Sequence, residues 1–384
     1  MHVEALELNQ FRNYRNLNIE LDPYLNIFVG DNAQGKTNLL ESVYFLATGR
    51  SHRTNRDWDL IYWHGEEAQV KAQVTTAIGS FTMRAVLSRD RRKRFMIGGE
   101  ELRRQSDLLG FLNVVLFSPD DLQLIKGSPT MRRRFIDLLL AQISKVYRHD
   151  LVNYNRVLQQ RNTFLKSIAE GKGKREDLLL WDEQLIHYGT QIMVRRAKAV
   201  ERLGELAGIN HRRISGGEEN LTVHYLPFYA AEGSSDNEFG TLNSHDFDAV
   251  RIGEDFAQGL EANRQQEMRR GVTLVGPQRD DILFRIDGKD ARQFASQGQQ
   301  RTVVLAVKLA ELEFMREEVG EYPVFLLDDV LSELDFSRRS SFLEIIGGKV
   351  QTLLTTTDVG NFRQDKLDHY REYGIVDGRL VGEG

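Results

Sequence analysis

Two short stretches at opposite ends of the chain constrain it more than any others. They are Gly30-Asp31-Asn32-Ala33-Gln34-Gly35-Lys36-Thr37 and Val324-Phe325-Leu326-Leu327-Asp328-Asp329. The first fits G-x-x-x-x-G-K-[ST]; an apolar strand pattern at 25–29 enters it and a helical pattern at 39–47 leaves it. Glycines so placed let the backbone turn tightly, so that successive amide N–H groups point at phosphate oxygens, and a lysine adds a point charge beside them. Residues Gly30, Asp31, Asn32, Ala33, Gln34, Gly35, Lys36, Thr37 and Asn38 therefore read as a cradle for the phosphates of ATP. In the second stretch, four apolar residues ending in Asp328 read as a fully buried parallel strand, which delivers a carboxylate to the ligand edge of an open α/β sheet. Thr37 and Asp328 are then the expected holders of Mg²⁺.

A third mark lies between the two. Phe294-Ala295-Ser296-Gln297-Gly298-Gln299-Gln300-Arg301 precedes a helical pattern at 302–319 and then the Asp328 strand. Serine and glycine at a helix start, one helix before the magnesium strand, is the layout of an ABC-type signature. In such heads Ser296, Gly298 and Gln299 would offer a hydroxyl and helix N-terminal amides to the γ-phosphate held by a second copy, so ATP would join two heads. A string closer to the usual signature, Ile214-Ser215-Gly216-Gly217-Glu218-Glu219, is followed by the alternating Leu221-Thr222-Val223-His224-Tyr225 and reads as a turn entering a strand. The catalytic set is Lys36, Asp329 and, in trans, Ser296. Asp329 stands where such ATPases usually have glutamate; the shorter side chain predicts slow hydrolysis.

The expected fold class is α/β: an ABC-type P-loop ATPase head with a mixed and parallel sheet. Residues 1–125 and 214–384 form ATPase lobe I, and 126–213 form a mainly helical lobe II insertion. Amphipathic spacing at Phe135, Leu138, Leu139 and Ile143, and at Trp181, Leu185, Tyr188 and Ile192, supports helices there, with a turn at 170–174 and no sustained heptads of a long coiled coil. The polar segment 231–246 reads as a mobile loop. No cysteine is present, so disulfides and thiolate zinc sites are excluded. No apolar run of membrane-spanning length and no signal peptide is visible, and a cytoplasmic location is expected.

With these anchors in place, further stretches carry a resemblance. Leu8-Asn9-Gln10-Phe11-Arg12-Asn13-Tyr14, Gly49-Arg50-Ser51-His52-Arg53-Thr54, Phe117-Ser118-Pro119-Asp120-Asp121-Leu122 and Gly276-Pro277-Gln278-Arg279-Asp280-Asp281 are similar to the RecF family of bacterial recombinational repair, an SMC-like ABC ATPase family, from end to end. The resemblance implies an ATP-dependent homodimer on single-stranded, gapped or junction DNA, RecA loading and the SOS response, and RecR and RecO as partners. It also implies that Arg12 and Arg53 contact phosphates, that Thr356, among Thr355, Thr356 and Thr357, stands at the switch position, and that Gln123 is a candidate lobe-linking glutamine. Val330-Leu331-Ser332-Glu333-Leu334-Asp335 is similar to the loop that crosses the dimer interface.

Charge complicates the DNA expectation. The chain has 51 Lys and Arg against 56 Asp and Glu, a net of −5, so any contact with phosphate must come from local clusters. Candidates are Arg91, Arg92, Lys93 and Arg94 at a hairpin tip, Arg132 and Arg133, and Arg195 and Arg196. Two other readings stay open on the residues alone: a P-loop kinase, and an architectural SMC-like tether.

Overall fold

In this computed structural model the described residues are 1–228, 248–331, 334, 336–358 and 370–383. The loop expected at 231–246, and positions 332, 333 and 335 of the expected crossing loop, lie outside them. An antiparallel ladder begins with β1 (His2–Phe11) and β2 (Tyr14–Glu20), and β3 (Leu25–Val29) leads through the glycine loop into α1 (Lys36–Thr48). Strands β4 (Glu67–Thr76), β5 (Gly79–Ser88), β6 (Arg94–Ile97), β7 (Glu100–Glu101) and β8 (Val114–Phe117) follow. Helices then dominate: α2 (Gln123–Lys126), α3 (Pro129–Ile143), α4 (Lys145–Ala169) and α5 (Leu178–Ile214). Next come β9 (Leu221–Leu226), α6 (Ala249–Arg270), β10 (Asp281–Ile286), β11 (Lys289–Asp290), α7 (Ala291–Phe294) and α8 (Gln297–Val319). The last elements are β12 (Val324–Asp328), α9 (Phe336–Ile346), β13 (Thr352–Thr356), β14 (Arg371–Val376) and β15 (Arg379–Glu383).

Among the described residues three sheets result. The ladder β2-β1-β4-β5-β6-β7 is antiparallel throughout, a second sheet runs β11-β10-β9, and the third has the order β15-β14-β3-β13-β12-β8. In the third, β14, β3, β13, β12 and β8 are mutually parallel. Every residue of β12 and β13 is buried, as expected of strands covered on both faces. Their register has a direct consequence: Asp328 pairs with Thr355, and Thr355 with Phe28, so the Asp328 carboxylate emerges at the same sheet edge as the glycine loop that follows Val29.

The chain divides into two compact units, 1–121 with 213–216 and 308–384, and 122–212 with 217–307. The second unit reaches further than the expected insertion at 126–213. Residues 217–307 group with the helices because β9 and β10 pair with each other, β10 packs on α3, and α6 packs along α4. Such pairings join segments far apart in sequence and leave no local mark in the residues between them. The turn after α4 and the 37-residue α5 agree with the expected helical pair, and no helix among the described residues is long and apolar enough to cross a membrane.

Within the first unit, Lys308 Nζ lies 3.1 Å from Asp121 and 3.3 Å from Glu311. One ammonium between two carboxylates neutralises only one of them well. Burial pushes the Glu311 carboxyl up to about 7, Lys308 opposes this, and Asp121 adds repulsion. Because the folded value lies above the unfolded one, the associated stability is complete below the ordinary glutamate range and is lost as pH rises through about 7. Glu311→Gln carries no such charge. Its stability relative to the parent, read from urea midpoints, is therefore expected to rise between about pH 5 and about pH 8; a constant difference across that range would remove the assignment.

Candidate functional site

The parallel register brings the two halves of the expected nucleotide site together. Thr37 Oγ1, in the first turn of α1, donates to Asp328 Oδ1 at 2.8 Å, and Thr355 Oγ1, on the neighbouring strand, donates to the same oxygen at 2.9 Å. The Asp329 N–H donates to the Thr355 hydroxyl at 3.0 Å, and Asp329 itself has φ 53°, a left-handed conformation that aspartate tolerates better than longer side chains. Strain of this kind concentrates where a side chain must be aimed.

The glycine loop is built as a phosphate cradle needs. Helix α1 begins after Gly35, at φ 115°, with no side chain capping its first N–H groups and no acidic residue in its first turn. Those donors and the positive end of the helix dipole are thus left for an external anion. Lys36 Nζ lies inside the loop against the carbonyl oxygens of Gly30 and Asp31, at 2.5 and 2.8 Å. Burial lowers its pKa, while Asp329, Asp328 and Asp31 act in the opposite direction. The loop is also wedged from outside. A Cβ on Gly30 would lie 2.3 Å from the Ile375 carbonyl oxygen, and one on Gly35 2.5 Å from Asn13 Nδ2, so packing by itself requires glycine at both positions. The Gln34 side chain accepts from the Asp377 N–H at 2.7 Å, and Tyr14 Oη donates to the Gly35 carbonyl at 3.0 Å.

Arg12 and Arg53 converge on a residue absent from the sequence reading. Glu41, fully buried in α1, accepts Arg12 Nε and Nη2 at 2.8 and 2.7 Å and Ser51 Oγ at 2.5 Å, and lies 3.5 Å from Arg53 Nη1. Arg53 in turn donates to Asn38 Oδ1, Asn38 to Asn13 Oδ1, and Asn13 to the Gln34 carbonyl, which ties the network to the glycine loop. Burial alone would raise the Glu41 carboxyl; the hydrogen bonds from Arg12 and Ser51 outweigh it and hold the group below the ordinary carboxylate range. The sequence did carry one signal, a lone glutamate inside the apolar run of α1, where an unpaired charge would not be tolerated. Glu41→Leu removes the carboxylate from the Arg12 guanidinium, leaving it the Asp59 carbonyl alone, and is expected to cost about 3 kcal/mol of stability in urea unfolding; an unchanged midpoint and slope would mean that water replaces the carboxylate.

The remaining assignments divide. Ser296 is exposed immediately before α8, where its hydroxyl accepts the Gln299 N–H at 3.2 Å while Gln299 Oε1 accepts the Ser296 N–H at 2.7 Å, a reciprocal capping box. Gln299 also donates to Glu219, and Gly298 lies in the first turn of α8. Residues 215–218 form the expected turn after α5, with Gly216 and Gly217 at positive φ before β9. Gln123 is exposed at the start of α2. The Thr356 hydroxyl meets the backbone of Asp358, and Thr355 is the threonine at Asp328, because successive strand residues face opposite sides.

The expected DNA clusters need correction. Arg132 is buried and paired bidentately with Asp281, Arg196 is buried between Asp137 and Asp280, Arg133 donates to the Asp280 carbonyl, and Arg195 pairs with Asp150. Arg132, Arg195 and Arg196 find carboxylates on distant elements, so their neutralisation could not be read locally, whereas the Asp280 carbonyl orients Arg133 without cancelling its charge. Burial pushes the Asp280 carboxyl up to about 6, against Arg196 and the hydrogen bond from Tyr225. Lys93 turns inward to Asp57 and the Gly49 carbonyl, at 3.0 and 2.8 Å, whereas Arg91, Arg92 and Arg94 stay exposed.

Similarity to known proteins bears on this arrangement directly. The RecF/RecN/SMC N terminal domain family matches residues 2–369. The DNA replication and repair protein RecF of Symbiobacterium thermophilum is 47% identical over 383 residues, covering 99% of this chain and 98% of the relative. That of Bacillus subtilis is 40% identical over 382 residues, covering 99% and 100%. Among solved structures, the recombination mediator protein RecF-ATP of the RecFOR pathway aligns with a TM-score of 0.86 at 33% identity, covering 99% of this chain and 97% of its own. An Smc head bound to the C-winged helix domain of ScpA shares the fold at a TM-score of 0.56 and 17% identity, covering 99% and 97%. The chain thus has the ABC-type head fold, and it belongs to the RecF family of DNA replication and repair proteins.

Proposed function

We propose that this chain binds ATP with Mg²⁺, that ATP joins two copies head to head on single-stranded, gapped or junction DNA, and that slow hydrolysis releases them during recombinational repair. The observation that carries the reading is the 2.8 Å junction of Thr37 with Asp328, set beside the uncapped start of α1. A hydroxyl and a carboxylate are hard oxygen donors of the kind Mg²⁺ takes, and Mg²⁺ held there would neutralise charge on the β- and γ-phosphate oxygens. Lys36 would exchange its carbonyl partners for phosphate oxygens. Asp329 would orient the attacking water and take its proton, while Arg12 and Arg53, held by Glu41, would add positive charge beside the cradle. The exposed Ser296 and the first turn of α8 would serve the γ-phosphate of the other copy. Likeness to a RecF solved with ATP in the RecFOR pathway supports the nucleotide, and relatives named for replication and repair support the process. On this reading RecR and RecO are partners and the outcome is the loading of RecA. A P-loop kinase would have no use for an exposed serine at the head of α8.

Two outcomes are expected. Ser296→Arg should abolish ATP-dependent dimers in sedimentation velocity while ATP affinity stays at the parental level; dimers that persist would exclude a role in trans. Asp329→Asn keeps a residue suited to positive φ but removes the base, and should lower ATP turnover about 100-fold or more without weakening ATP binding. Turnover within a few fold of the parent would assign the base elsewhere.

A further inference from the structure

We propose that the loop at 56–65 is a stacking platform for single-stranded nucleic acid, with bases on Trp58 and Trp63 and phosphates on Arg15, Arg56 and Arg89. This rests on the reading above and names the surface by which the head would hold DNA.

The chain has three tryptophans, and two of them lie in this loop, 53% and 84% exposed. The loop is firmly seated. Leu60 and Ile61 are buried, Ile61 bridges to Phe11, the Arg12 N–H donates to the Leu60 carbonyl at 2.7 Å, and the Tyr62 N–H donates to the Gln10 carbonyl at 2.7 Å. Folding thus points the aliphatic pair inward and leaves both indoles in water on a rigid support, which lowers the entropy cost of binding.

Exposed apolar residues alone need no ligand, so the charge pattern decides. The Arg56 guanidinium lies 5.9 Å from the centre of the Trp58 ring, Arg15 lies 5.4 Å from that of Tyr62 and donates to its hydroxyl at 2.9 Å, and Arg89 Nε donates to the Gly65 carbonyl at 2.9 Å. Rings and neutral oxygens orient these arginines without cancelling their charge. The ion pairs nearby go elsewhere: Lys93 to Asp57, Arg91 to Asp90 and Arg94 to Glu101. Among the described residues, no carboxylate pairs with Arg15, Arg56 or Arg89. The loop's other acid, Asp59, accepts from the neutral Thr54 hydroxyl and keeps its charge, which leaves one carboxylate against three arginines. Uncancelled positive charge beside open indole faces suits a polyanion whose bases are unstacked. A duplex offers the phosphates but hides the faces of its bases, and an acidic peptide uses the charge but not the indoles.

The test uses the full chain without nucleotide, titrated with a short oligo(dT) and with a duplex of equal length, and read by tryptophan emission and by anisotropy of labelled DNA. Oligo(dT) should quench the emission. Trp58→Leu and Trp63→Leu should each weaken oligo(dT) binding about 10- to 100-fold, with Trp63→Phe close to the parent and duplex affinity unchanged. Arg56→Gln should reduce the slope of log K against log salt by about 0.7. Parental oligo(dT) affinity in both leucine variants, or equal losses on the duplex, would overturn the platform and leave the DNA function standing. Failure of the parent to bind either DNA, with or without Mg-ATP, would overturn the function and the platform together.

Discussion

The parallel pairing of β13 between β3 and β12 is the constraint on which the rest of this head depends. Both strands flanking β13 end in chemistry, β3 in the glycine loop and β12 in Asp328, and the register of β13 alone decides that the two ends are level. A slip of one residue would turn Asp328 to the other face of the sheet. Thr355 then completes the junction, since the strand that sets the register also supplies the hydroxyl between Asp328 and the backbone of Asp329. Structure and chemistry share one ladder of hydrogen bonds.

Around this junction the glycine loop is supported on two sides by segments remote in sequence. The turn between β1 and β2 contributes Asn13, the start of β2 contributes Tyr14, and the turn between β14 and β15 contributes the Asp377 backbone that holds Gln34. Such support keeps amide groups converged before any anion arrives, which is the preorganisation that phosphate recognition needs. Glu41 extends the same logic to the arginines. A carboxylate in the interior of α1 is stable only because two guanidiniums and a hydroxyl satisfy it, and in return it fixes guanidiniums that would otherwise roam.

Charge in the second unit works differently. Arg132, Arg161 and Arg196 sit in dense buried networks with Asp281, Asp182, Glu267, Asp137 and Asp280. These groups hold segments distant in sequence against one another, and none of that charge is available to a phosphate backbone. In a chain of net charge −5, this sharpens the contrast with the exposed arginines around Trp58 and Trp63, which have no such partners among the described residues.

Much of the candidate site was legible from residues alone. The glycine loop, its flanking strand and helix, and the buried strand ending in Asp328 are local patterns, because amide geometry and the continuous burial of a parallel strand write themselves into consecutive positions. The turn at 215–218 was separable from the true head of α8 for the same reason: alternation after it can only be a strand. What could not be read was every relation between segments. That Thr355 meets Asp328, that Glu41 gathers Arg12 and Arg53, that Arg132 and Arg196 are cancelled, and that 217–307 joins the helical unit all depend on pairings across many residues. By itself the sequence determined which groups could bind phosphate and metal and on which kinds of element they ride. Only the tertiary structure decided which of those groups meet and which charges remain uncancelled, because distance in space, not spacing along the chain, sets hydrogen bonding and electrostatic neutralisation.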